Sequence, residues 1–523
     1  MKNVSEFITQ QADKLPHKKA IGFPKKMRSG FDYQFYTFIE LEQRINALAY
    51  KLTELGVKPQ DKVLFFIKPN LDFCAITFAL FRVGAIPVFI DPGMKKKYFF
   101  RCLKELNPEV LIGIPKALMM SQLFFPYFKS IKLKIASTEK SFLGKPLLEN
   151  LKISTQSYPP YHAKNHELAA ILYTSGGTGK PKGVEYTHDI FISQTQMLQK
   201  EFSLTSDDCD IPGFPLFSFF TLSMGMTSVI PHMDAAKPAQ ANPKYLYQNI
   251  KDNKASFVAG SPAIWSLLAE YCYKYNLTLP SVKYMVMFGA PVDKKIHEYF
   301  AKILPHGTTF TPYGATECLP VANISGKELL SGLFEKTKEG AGICIGKPLA
   351  GVEVAVVKMN EEKVVELDSS IGEIIVHSPN VTRAYYQDKE STEASKLIYK
   401  DKLWHRMGDM GYFDQEKKLW FCGRLKHAFE FQGHKVYPVQ IEQILNQHPK
   451  IQRCALVYSH KLKQPCLFIV VTKNVQLLKA EVFSFIKEKQ LDYLVKNIRF
   501  VSALPVDTRH NIKIDRIKLA HEH

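Results

Sequence analysis

The residues from Thr174 to Gly183, TSGGTGKPKG, concentrate groups suited to holding an anion. Three glycines, Gly176, Gly177 and Gly179, let the backbone approach a ligand closely and take positive φ; Thr174, Ser175 and Thr178 add hydroxyl donors, and Lys180 and Lys182 add charge. The chemistry this favours is the cradling of phosphate. A Walker loop would need Gly at position 174 and Ser or Thr at 181, where Thr174 and Pro181 stand. The apolar run Leu168 to Tyr173 leads into the loop as a buried strand, and Val184-Glu-Tyr-Thr leads out as another. No helix N-terminus is therefore expected behind it. Further along, Gly289, Ala290 and Pro291 end a buried strand in a small-residue turn, where a flat ring can lie against backbone. Asp409, in HRMGDMGYF, is a carboxylate between glycines. Its two oxygens can accept from both hydroxyls of a ribose, and an Asp that only makes a turn is the competing reading.

Four motifs in order carry a family resemblance: TSGGTGKPKG, then TPYGATE at Thr311 to Glu317, then the Asp409 motif, then NIKIDRIKL with Lys513. Together they resemble the adenylate-forming superfamily of acyl-CoA synthetases, peptide-synthetase adenylation domains and luciferases, in which a carboxylate attacks the α-phosphate of ATP. The resemblance implies ATP and Mg²⁺ as cofactors, with coenzyme A as a further possibility. It assigns Lys182 and the loop hydroxyls to the β- and γ-phosphates, Gly289, Ala290, Pro291 and Tyr313 to adenine, and counts Gly314 among the cofactor-binding residues. Thr316 is assigned to the α-phosphate, Glu317 to the metal, and Asp409 and Arg424 to the ribose. Lys513 matches the lysine that touches both the acid and the α-phosphate, and Lys426, in GRLK, matches the hinge. Ser218 follows Pro215-Leu-Phe where many relatives have His, and Ile512 stands where most have Gly. Asp507-Thr-Arg-His-Asn511 and PHMDAAKPA at 231–239 look most like the olefin β-lactone synthetase branch, which adenylates a long-chain β-hydroxy acid and closes it on its own hydroxyl.

Positioning these groups requires a large α/β framework. From Asp61 short β-rich runs alternate with helical ones: KVLFFIK, LDFCAITFALFRVG, AIPVFID, MKKKYFFRCLKELN and EVLIGIP. That order implies a parallel sheet covered on both faces by right-handed crossovers, with ligands beyond the strand ends. Short alternating runs from about 340 to 422 indicate antiparallel hairpins or a small barrel. The expected fold is α/β: an N-terminal domain over 1–425 with stacked, mostly parallel sheets and a barrel-like subdomain, and a small mobile α+β lid over 426–523. Phe217, Phe219, Phe220, Met226 and Trp265 are candidates for an apolar acid pocket, and core packing is an equally good reading of each.

Composition bounds the remainder. The 523 residues are 46% hydrophobic and 23% charged, ordinary for a globular enzyme. Lys and Arg number 69 against 50 Asp and Glu, a net charge of +19 that favours anionic ligands or anionic membrane surfaces. No nucleic-acid-binding pattern accompanies the charge, so no nucleic-acid partner is expected. Nine scattered cysteines without a C-x-x-C spacing suit a reducing cytosol. The N-terminus lacks a signal-peptide core, and the most apolar segment, Leu71 to Asp91, is interrupted by Asp72, Arg82, Gly84 and Pro87. The expected location is cytoplasmic, with any membrane contact peripheral. Lys95-Lys-Lys followed by Tyr-Phe-Phe could supply that contact, or be a solvated helix face. No carrier domain in cis is expected after Lys513. G-x-S-x-G and H-E-x-x-H motifs are absent. The expected activity is ATP-dependent adenylation of a fatty acid with release of pyrophosphate, then β-lactone formation. Transfer to coenzyme A is the alternative, and a non-catalytic nucleotide- or lipid-binding relative is a further one.

Overall fold

The computed structural model describes residues 3–91, 93–151, 153, 155–174, 180–359, 364–472, 476, 479–495, 497–506 and 514–522. Ser175, Gly176, Gly177, Thr178, Gly179 and Lys513, with the phrase Asp507 to Ile512, lie outside the described residues. Two seven-stranded sheets form the body. The first orders its strands Lys145–Pro146, Leu133–Ala136, Val110–Gly113, Lys62–Phe66, Ile86–Ile90, Leu168–Thr174 and Lys182–Thr187, all parallel except the last pair. The second runs Thr308–Phe310, Tyr284–Met287, Phe257–Gly260, Cys209–Pro212, Thr227–Val229, Lys19–Lys26 and Phe31–Thr37, again with one antiparallel pair at its edge. Continuous apolar strands such as KVLFF are required because helices cover both faces of such sheets.

The helix Asp72–Val83 is buried at every position from Phe73 to Val83. It carries two of the residues that interrupt the apolar segment, and both charges find partners. Arg82 pairs with Glu42 at 2.6 Å and hydrogen-bonds Asn46, Thr9 and the Ser5 carbonyl, while Asp72 pairs with Arg44 at 2.9 Å. A buried ion without such partners would cost several kcal/mol, on the order of 3–5. These contacts tie the helices Glu6–Lys14, Phe38–Leu55 and Asp72–Val83 together. Among the described residues, no helix is long and apolar enough to cross a membrane.

The third sheet is antiparallel, as the alternating runs imply, but it is not a closed barrel. Its nine strands run from Tyr313–Ala315 at one end to Val364–Glu366 at the other, and among the described residues those ends do not pair. Register shifts between Glu373 and Ile375 and between Met410 and Gly411 bend it instead.

The C-terminal part has its own core. Strands Ile451–Ser459, Gln464–Val471 and Asn497–Phe500 pack with the helices Pro438–Leu445 and Lys479–Glu488 through Leu445, Leu456, Leu467, Val482 and Ile486. Glu442 is buried there, accepts from the Leu456 amide at 2.7 Å, and pairs with Arg516 of the last helix at 2.6 Å. Helix Pro438–Leu445 seats on the body: Gln440 donates to the Gly340 carbonyl at 2.7 Å and Gln447 to that of Lys338 at 2.6 Å. Gly340 has φ +93°, and a Cβ there would stand 2.9 Å from Ile444. The positive φ is what favours glycine, since the Ile444 methyl could give way.

Candidate active site

The sheets converge on a cleft of about 2780 Å³. Lys182 reaches it from the strand that leaves the phosphate loop, where Thr174 and Lys182 are paired residues of antiparallel strands. The strand-loop-strand form expected from Pro181 is thus present on either side of the loop. Gly289, Ala290 and Pro291 line the same cleft, and at Gly289, with φ +93°, a Cβ would meet nothing within 4 Å. The backbone there is bare toward open space, as a flat ring needs.

Thr316 and Glu317 form a two-residue turn between strands Tyr313–Ala315 and Cys318–Asn323, with Ala315 and Cys318 paired across it. Gly314 permits this approach, because a Cβ would lie 2.6 Å from the Cys318 carbonyl oxygen. The turn is pinned on both sides: Tyr186 donates its hydroxyl to the Thr316 carbonyl at 2.7 Å, and the Thr382 amide donates to the Glu317 carbonyl at 2.8 Å. With both carbonyls held, the two side chains are presented to the cleft.

Asp409 and Arg424 face each other on adjacent strands. Asp409 Oδ1 lies 3.1 Å from the Arg424 guanidinium, and Oδ2 accepts from the Tyr313 hydroxyl at 2.6 Å. One carboxylate therefore orients both the tyrosine ring and the arginine. Burial, and then the Asp409 charge, push the Tyr313 phenol well above its usual range, so it stays a donor. Lys426 lines the cleft in the short turn Leu425–His427, its amine lowered by burial and by the charges of Arg424 and Lys182.

Sequence reasoning missed Tyr385. Its hydroxyl donates to Glu317 Oε1 at 2.8 Å, and the Lys182 ammonium lies 4.6 Å from its ring centroid. One phenol thus braces the proposed metal ligand and carries a phosphate-loop lysine on its face. Behind it Lys396 donates to the Thr382 carbonyl and to His405 Nδ1, the latter at 3.0 Å. Burial lowers the Lys396 amine to about 8, with the Glu317 charge opposing the shift. No motif announces either residue, since both meet the site only through tertiary pairing.

The acid-pocket candidates divide. Phe217, Phe219 and Phe220 line the cleft, with Phe217 packed on Phe288 at 4.6 Å between centroids. Met226 and Trp265 do not reach it. Met226 is buried with Phe202, Leu204 and Phe257. The Trp265 indole fills the space over Gly213 and Gly260, where a Cβ would come within 3.0 and 2.8 Å of it. Both are core residues: Met226 packs on one face of the second sheet with Phe257, Ala259 and Val286, and Trp265 on the other with Val258, Met285 and Met287.

Ser218 is also turned away from the cleft. It is buried and accepts from Ser228 at 3.0 Å; Ser228 and Thr221 share Asp210 Oδ2 at 3.2 and 2.8 Å. Burial raises the Asp210 carboxyl to about 7, against the pull of those two hydroxyls. Because the folded value exceeds the unfolded one, the native state binds the extra proton, and stability falls as pH rises from about 4 to about 7. The full change is on the order of 4 kcal/mol for about three units. Asp210→Asn should flatten that slope and raise the urea midpoint above neutral pH. Parallel pH profiles for the two proteins would refute the assignment.

The family models settle the class. Residues 8–386 match the AMP-binding enzyme family, and residues 440–510 match the AMP-binding enzyme C-terminal domain. The chain is an AMP-binding enzyme. It is similar to the olefin beta-lactone synthetases of Xanthomonas campestris (35% identical, covering 92% of this chain and 90% of that protein) and Stenotrophomonas maltophilia (33%, covering 99% and 97%). In fold it is similar to O-succinylbenzoate coenzyme A synthetase from Bacillus subtilis in complex with AMP (TM-score 0.78, 21% identity, covering 99% of this chain and 98% of that one). It is equally similar to the amide bond synthetase McbA from Marinactinospora thermotolerans (TM-score 0.79, 20%, 99% of each). This AMP-binding enzyme is accordingly an AMP-forming acid ligase that uses ATP.

Glu317 fits a magnesium ion carried in with the nucleotide. One of its hard oxygens is braced by a phenol, and the residue faces a cleft that also holds Lys182 and Arg424. Such an ion would offset phosphate charge at that point.

Proposed function

We propose that this AMP-binding enzyme activates a β-hydroxy fatty acid as its acyl adenylate and then closes a β-lactone. The observation that carries the reading is identity of 33–35% to two olefin beta-lactone synthetases along nearly the whole chain. The cleft supports it, since Phe217 and Phe220 line the same cleft as the Thr316-Glu317 turn.

The substrate carboxylate oxygen attacks the α-phosphorus; a C–O–P bond forms, the bond to the β-phosphate oxygen breaks, and pyrophosphate leaves. No general base is needed, because the acid is already ionised at neutral pH. Lys182 and the loop hydroxyls hold the β- and γ-phosphates, Thr316 donates to the α-phosphate, and Asp409 with Arg424 holds the ribose. Tyr313 presents its ring to adenine beside Gly289, Ala290 and Pro291. Lys513 aligns the two reacting groups. In the second step the substrate's β-hydroxyl oxygen attacks the acyl carbon, AMP departs with the bonding pair, and the hydroxyl proton passes to solvent. Lys426 is the pivot on which residues 426–523 turn as a lid over residues 1–425. A peripheral membrane contact, with its apolar acid supply, belongs to the same reading.

Supplying saturated and β-hydroxy fatty acids with ATP, with and without coenzyme A, tests it by mass spectrometry. A β-lactone and AMP from the β-hydroxy acid alone are expected. A thioester from a plain fatty acid would replace the lactone by coenzyme A ligation, and absence of acid-dependent pyrophosphate exchange into ATP would leave a binding protein without turnover.

A further inference from the structure

The strongest unassigned surface lies on the outer side of the first sheet, where the helix Pro115–Leu123 runs into the short turn Phe125–Tyr127. Four large apolar side chains stand out of it. Leu123 is 76% exposed and Phe125 61%, with Met119 and Tyr127 also largely open. Isolated exposed apolar residues are ordinary, but four within nine residues of one helix and turn are not. None of the four lines the cleft.

The charge around them is one-sided. Between Lys95 and Lys134 the chain has nine basic residues (Lys95, Lys96, Lys97, Arg101, Lys104, Lys116, Lys129, Lys132, Lys134) and two acidic ones, Glu105 and Glu109. Both acids are taken: Glu105 pairs with Arg101 and Lys180, and Glu109 with Lys62. Lys95, Lys96, Lys97, Lys116, Lys129 and Lys132 are all exposed. The three-lysine run begins the helix Lys96–Leu106, whose inner face carries Cys102, Leu103 and Leu106 into the core.

An aromatic ladder joins the ridge to the cleft. Tyr127 stacks on Phe100 at 4.3 Å between centroids, Phe100 meets Phe99 at 5.5 Å, and Phe99 meets Phe66 at 5.7 Å. Phe66 lines the cleft, as do Lys95 and Tyr98. The helix that bears the lysines thus forms both the rim of the cleft and the support of the ridge.

We infer that the turn Leu123–Tyr127, with its surrounding lysines, docks this enzyme on an anionic lipid surface. The inference rests on the peripheral contact proposed above and gives it a location. Protruding apolar side chains enter the headgroup layer while lysines around them meet lipid phosphates, each near-surface cation adding to the attraction. An acidic protein partner would match the charge; large apolar side chains projecting beside exposed lysines are instead the pattern of a contact with lipid headgroups, so an anionic lipid surface is the occupant favoured.

Flotation of the full chain with phosphatidylcholine vesicles, alone and mixed with phosphatidylglycerol, tests this. Binding is expected only to the mixed vesicles, and it should weaken as salt is raised. The double variant Leu123→Ser, Phe125→Ser should lose at least about tenfold in binding, and Lys129→Glu with Lys132→Glu should lose a similar amount. Both should keep pyrophosphate exchange with a water-soluble acid, which also reports that they fold. Failure of the wild type to float with mixed vesicles, or equal flotation of wild type and both variants, overturns the inference. So does a defined complex with an acidic protein in place of lipid binding. Flotation without any exchange activity would leave this surface standing and overturn the adenylation reading instead.

Discussion

Glu317→Gln lowers acid-dependent pyrophosphate exchange by about a hundred- to a thousandfold, the expected loss when a preorganised charge at a developing phosphoryl transition state is removed. The amide keeps the shape of the side chain and can still accept from Tyr385, which donates to Glu317 Oε1 at 2.8 Å. Folding and ATP binding should therefore survive, and the loss should appear in kcat. Raising magnesium should recover little, because the amide oxygen is a poorer ligand for a hard cation than a carboxylate. Tyr385→Phe is the informative companion. It removes the brace and retains the ring under Lys182, so the expected loss is only about ten- to a hundredfold, with a higher magnesium requirement. If Glu317→Gln turned over at the wild-type rate, the Thr316-Glu317 turn would not be the phosphoryl site, and the roles given to Tyr385 would fall with it.

Lys513→Ala should cost a comparable factor, on the order of a hundredfold or more, and confine it to the first half-reaction. A single ammonium held between an incoming carboxylate and the α-phosphate both aligns the pair and offsets charge growing on the phosphorus oxygens. Lys513 lies outside the described residues; what supports its assignment is its place in the NIKIDRIKL motif and the residues beside it. Val506 and Ile514 pair in an antiparallel bridge, and both line the cleft. Quenched single-turnover measurement of acyl adenylate, started from bound ATP and acid, isolates the step. Consumption of a preformed acyl adenylate should be nearly unchanged, and an adenylation rate equal to that of wild type would remove the lysine from the mechanism.

What could be read from sequence divides along a physical line. The parallel strands were legible because burial on both faces leaves a continuous apolar run, and KVLFF at Lys62–Phe66 is such a run. The phosphate-loop surroundings were legible because Pro181 and the β-rich residues after it act locally, and Lys182–Thr187 is a strand. The Thr316-Glu317 turn was legible as a motif, although the two carbonyl hydrogen bonds that aim it were not. Met226 and Trp265 failed as pocket residues because a side chain's apolarity is the same whether it faces a cavity or a core. The choice between hairpins and a barrel stayed open because alternation encodes antiparallel pairing and says nothing of whether the first and last strands meet; among the described residues they do not. Tyr385 was invisible because its partner is 68 residues away, beyond any local periodicity. Ser218 was noticed as a substitution, but only the buried chain from Ser228 to Asp210 shows that it looks inward.

The pairing of Glu442 with Arg516 sets a practical limit on how the protein can be handled. The helix Arg516–Glu522 looks like a dispensable tail, yet it delivers the counter-ion for a carboxylate that burial already drives toward protonation. Trimming the chain before Arg516 would leave that acid without its partner on the very helix that seats on Gly340, at a cost of about 3–5 kcal/mol. Affinity tags and fusion partners are therefore better joined at the opposite terminus, and shortened versions should retain residues through this last helix.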